Sequence, residues 1–125
     1  MIKWFEKYYV ISYIITIIIA IAIFYISSMT FESIGTGTTS INSYIYHFMI
    51  FFLFAFFLLI SLIKGKYNIS LLIIALSIAI IYGISDEIHQ LFVPSRYGCI
   101  EDVMTNSLGI LSAGIIYTIR LKVKK

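Results

Sequence analysis

Four of the six acidic residues in this chain, Asp86, Glu87, Glu101 and Asp102, fall between positions 85 and 102, together with His89, Gln90, Arg96 and the only proline, Pro94. A histidine beside a carboxylate can act as a general base, the carboxylate orienting the imidazole. Asp86 and His89, three residues apart, are the expected acid/base pair, with Glu87, His47 and Asp102 lining the same site. His47, Asp86 or Glu87, His89 and Asp102 also offer nitrogen and oxygen donors to a divalent cation. Their spacing fits no compact zinc motif, so no metal is assigned, and no cofactor is read from the sequence. Arg96, ahead of a helix expected to start near positions 99–101, suits a phosphate or carboxylate group. The sequence has no glycine-rich nucleotide loop, no serine nucleophile elbow and no cysteine cluster. Its one cysteine, Cys99, follows a turn glycine and reads as a packing residue.

The elements that carry these residues are apolar runs. The 125 residues are 61% hydrophobic and 12% charged, about half the roughly 25% charge of a soluble domain. Such composition in long runs excludes a soluble globule and indicates an all-α integral membrane protein of one domain, 1–125. Four spans are expected, at about 9–27, 43–63, 69–92 and 102–121. The first is too long for the apolar core of a signal peptide, about 7–15 residues, and no cleavage motif follows it. Residues 27–42 read as a loop carrying Gly35, Gly37 and Glu32. Residues 1–8 mix charge with Trp4 and Tyr8, as in a headgroup-level belt. Pro94 is expected to stop the third span.

The basic residues set an expected orientation. Lys3 and Lys7, Lys64 and Lys66, and Arg120 to Lys125 mark three cytoplasmic segments, which gives a four-transmembrane-helix bundle with both termini cytoplasmic. Basic residues placed at the ends of apolar runs point to membrane lipids as partners and away from nucleic acid. His47, Asp86, Glu87, His89, Arg96, Glu101 and Asp102 then converge near the outer surface. On the third span Ala79, Tyr82, Gly83, Asp86, His89 and Gln90 share a stripe; on the fourth, Asp102, Asn106, Gly109 and Ala113 share another. The two stripes are expected to face each other, Gly109 and Ala113 allowing close approach. Each residue also has a plain structural reading: Asn106 as interhelical glue, Arg96 as a partner of Glu101 or Asp102, and His47 as an interfacial residue.

Asp86-Glu87-Ile88-His89-Gln90, then Phe92-Val93-Pro94, Arg96, Gly98, Asp102, Asn106, Leu108 and Gly109, resemble the signature of VanZ-like membrane proteins, and His47-Phe48 resembles that family's upstream histidine. Ser95 stands where the family usually has glycine, Cys99 where serine is common, and no proline follows Ser27-Ser28. The resemblance implies a cell-envelope protein linked to resistance to teicoplanin, an antibiotic that binds wall precursors outside the membrane. Two functions follow as expectations. In one, an outward site binds or modifies a lipid-linked or headgroup substrate, such as a wall precursor, with Gln90, Arg96 and Asn106 contacting it. In the other, a non-catalytic bundle binds a membrane partner or shields a surface target, and the polar cluster is structural.

Overall fold

Isoleucine-rich runs are indifferent helix formers in water, but in hydrocarbon every backbone N–H and C=O must be satisfied within its own segment, and the helix does this. The computed structural model describes residues 1–29 and 41–123. Within them the chain is all helical: α1 (Ile2–Lys7), α2 (Tyr9–Ser27), α3 (Ile41–Ile63), α4 (Ile69–Gln90) and α5 (Ile100–Val123). Three of these, α2, α3 and α4, are long and apolar enough to cross a membrane. The 24-residue α5 is diluted by Thr105, Asn106, Ser107, Gly109, Ser112 and Gly114. The expected loop features Gly35, Gly37 and Glu32 lie outside the described residues.

Element boundaries follow local chemistry. The Asn68 side chain accepts from the Leu71 amide at 3.1 Å and caps α4. That helix ends at Gln90, two residues before the expected 92, because the amides of Leu91, Phe92 and Val93 bond three residues back and tighten the chain before Pro94. Residues 2–7, expected only as a headgroup-level belt, form a helix whose Glu6 is buried. Its carboxylate accepts from the Arg120 guanidinium and from the Tyr117 hydroxyl.

The core lies along α3. Phe51, Phe54, Leu58, Leu59 and Ile60 pack with Ile110, Ala113 and Tyr117 of α5, Ala75 and Ala79 of α4, and Ile23 of α2. The outward faces are as apolar as the core: Ile14, Ile18, Ile21, Ile73, Ile81 and Ile115 are all exposed, as lipid contact requires. Gly109 lets α5 lie directly on α3, since a Cβ there would come within 2.4 Å of the Phe48 carbonyl oxygen. The expected facing of the two stripes is therefore corrected. Gly109 abuts α3, and the α4 and α5 stripes meet higher up, where a Cβ on Gly83 would lie 3.6 Å from that of Asn106.

The bundle has two chemically distinct ends. At one, Lys64 sits 3.9 Å over the Tyr9 ring, the Gly65 amide donates to Tyr117, Lys122 lies over Tyr67, and Arg120 holds Glu6. At the other are the ends of α2 and α4, the start of α5, and all the expected site residues.

Candidate functional site

Three helices each contribute to a buried polar cluster. His47 comes from α3, Glu87 from the end of α4, and Asp102 and Asn106 from the first turns of α5; all four are buried. The turn between α4 and α5 is pressed against α4 at Gly98, where a Cβ would lie 2.7 Å from the Glu87 carbonyl oxygen. This brings the Cys99 amide to Glu87, to which it donates at 3.4 Å. Asn106 Nδ2 donates to the other Glu87 oxygen at 3.4 Å, and Asn106 Oδ1 lies 2.9 Å from His47 Nδ1. An ionised carboxylate only accepts, so with Glu87 ionised the Asn106 amide turns its NH2 to Glu87 and its oxygen to His47. His47 Nδ1 therefore carries the proton. Its Nε2 faces Asp102 Oδ2 at 3.7 Å, too far for a hydrogen bond.

Other expected residues divide between α2 and the turn. The Gln90 amide donates to Asp86 and to Ser27 Oγ, both at 3.4 Å. His89 stacks on Phe24, ring centroids 4.7 Å apart, and its Nε2 lies 2.9 Å from Ser28 Oγ. Because the Ser28 hydroxyl donates to the Phe24 carbonyl, His89 Nε2 is the donor. The structure thus does not pair Asp86 with His89. Residues three apart differ by about 60° around the helix, enough to put Asp86 inside the α2–α4 seam and His89 on its flank. Arg96 donates to the carbonyls of Ile26 and Met29, closing the end of α2. The expected acidic partners of Arg96 are engaged elsewhere: Asp102 faces His47, and Glu101 accepts from the Cys99 thiol. That contact pushes the thiol pKa up and holds Glu101 below its usual value.

Beside the cluster opens a pocket of about 330 Å³ lined by Ser27, Asn42, Ser43, Tyr46, His47, Gln90 and Arg96, among others. The Tyr46 hydroxyl and Asp102 Oδ1 are buried with no hydrogen-bond partner among the described residues. Tyr46 and Ser27 were not singled out by sequence reasoning. The available signal was position: Tyr46 precedes His47, and Ser27 ends an otherwise apolar run.

Long apolar helices around a core, with all but one of the buried carboxylate and histidine side chains gathered at one end, define a small helical membrane protein. The chain belongs to the VanZ/LLP1 family, whose model matches residues 9–121, leaving only α1 and the extreme C-terminal residues outside. No curated protein and no solved structure matches it.

Proposed function

We propose that this is a cell-envelope protein in which α5 forms a fourth span, both termini are cytoplasmic, and the polar pocket faces outward to bind the anionic headgroup of a lipid-linked substrate. The pocket, with a Tyr46 hydroxyl that has no hydrogen-bond partner among the described residues, carries this reading. Its volume lies at the lower end of ligand sites, and a donor buried in such a wall is satisfied when an acceptor enters. Arg96 adds positive charge at the rim, Gln90 and Ser43 add polar contacts, and His47 stands at the inner wall with its tautomer fixed by Asn106. Glu87 sits behind His47 and Asn106, while Asp86 and Gln90 tie α4 to α2, and His89 braces the same seam from outside. If chemistry occurs, His47 is the group with both pocket access and carboxylates around it, and it is the general-base candidate in this arrangement.

The alternative, a non-catalytic bundle, is favoured by the seam contacts of Gln90, Asn106, His89 and Arg96, which all tie helices together. Teicoplanin susceptibility of a Gram-positive host separates the two. Tyr46→Phe removes a hydroxyl that makes no hydrogen bond among the described residues. A hydrogen bond from it to a charged group is worth about 1.5–3 kcal/mol of binding. The headgroup reading expects the wild type to protect and Tyr46→Phe to protect less at equal membrane abundance. Equal protection by Tyr46→Phe and Asp86→Asn would favour the structural bundle.

A further inference from the structure

We infer that His47, Glu87 and Asp102 form a site for one first-row divalent metal ion. One ligand atom from each of the three lies within 4.8 Å of the others, and all three residues are buried. They come from three different helices, which is why spacing along the chain gives no metal motif.

Two observations beyond the cluster itself point to a cation. Asp102 is 7% exposed, yet its Oδ1 is buried without a hydrogen-bond partner among the described residues. The Asn106 amide, oriented by Glu87, fixes the proton on His47 Nδ1, so the Nε2 lone pair points at the Asp102 carboxylate across 3.7 Å. A lone pair and a carboxylate repel each other unless a positive charge stands between them. A proton would draw them to hydrogen-bond length, about 2.7–2.9 Å. Donors about 2.0–2.2 Å from a common metal stand farther apart. Asp102 already faces Nε2, while Glu87, 3.8 Å from Nδ1, must swing along the ring edge to join it. The surroundings already have the form of a metal site's outer shell: the ligating histidine gives its other N–H to a held oxygen, and Glu87 is oriented by the Cys99 amide. Two carboxylates and a neutral imidazole carry a charge of −2, which a divalent ion neutralises in a region where net charge is costly. One imidazole with two carboxylates suits a first-row ion such as manganese or zinc better than calcium. The pocket reaches His47 and supplies the entry path. This inference stands whether or not a headgroup binds there; with the metal bound, the His47 Nε2 lone pair is used in coordination and His47 does not act as a general base.

The test uses the full chain purified in detergent, stripped with a chelator and titrated with Zn2+ or Mn2+ by calorimetry. One equivalent is expected to bind. His47→Gln and Asp102→Asn should each weaken binding by more than tenfold, and Asn106→Ala by about tenfold or more. Glu101→Gln, beside the cluster on an exposed position, should bind as the wild type does. If the variants do not fold, pulsed electron paramagnetic resonance of Mn2+ on the wild type decides alone: coupling to one histidine nitrogen supports the site. Absence of stoichiometric binding, absence of nitrogen coupling, or wild-type affinity in folded His47→Gln would overturn it.

Discussion

Ser95 has a backbone φ of 65°, in the left-handed region that an L side chain enters at a cost of roughly 1–2 kcal/mol. A glycine, with no Cβ, would adopt this conformation without that cost. The turn is held there because Arg96 must reach the end of α2 while Gly98 presses on α4. Ser95→Gly should therefore raise thermal stability, by less than about 1 kcal/mol because glycine also gains freedom in the unfolded chain. A Tm measured in detergent that falls instead would mean that the serine side chain makes a contact outweighing the strain. Residue types were legible in the sequence at this scale, but partners were not. Asp86 and His89 invited pairing by their spacing, and packing separates them: Gln90 holds Asp86 inside the α2–α4 seam while His89 turns to Ser28 on its flank.

Helices α3 and α5 meet along Gly109, where the backbones come so close that a Cβ would overlap the Phe48 carbonyl. Gly109→Ala should force the two helices apart and destabilise the protein by about 1–3 kcal/mol or more. The same displacement would carry Asn106, one turn away, from His47. Unfolding in mixed detergent, followed through Trp4 fluorescence, measures the change, and an unaltered transition would show that the interface can shift without penalty. The sequence marked Gly109 as a point of close approach through its spacing with Ala113. The expectation that the third span approaches there was wrong, because periodicity fixes a helix's faces and leaves its neighbours open.

Over the whole molecule, the basic residues that mark three chain segments come to one end of the bundle, through Glu6 with Arg120, Lys64 over Tyr9 and Lys122 over Tyr67. If that end is cytoplasmic, Cys99 at the opposite end is external, and it is the only cysteine in the chain. A membrane-impermeant maleimide should then label Cys99 in intact cells. The thiolate is the reactive form, and Glu101 raises the thiol's pKa, so labelling should be slow near neutral pH and faster as pH rises. Glu101→Gln should speed it at neutral pH. Labelling only after lysis would reverse the orientation. The sequence by itself determined that this is a helical membrane chain, where its apolar runs begin and end, and which ionisable groups share one end, because composition and charge placement respond directly to the bilayer. Tertiary structure alone decided that His47 meets Glu87, Asp102 and Asn106, that His89 turns to α2, and that Glu6 locks onto Arg120. The reason is that these contacts depend on how each helix is rotated about its axis against its neighbours, which is fixed by the fit of side chains across the interfaces.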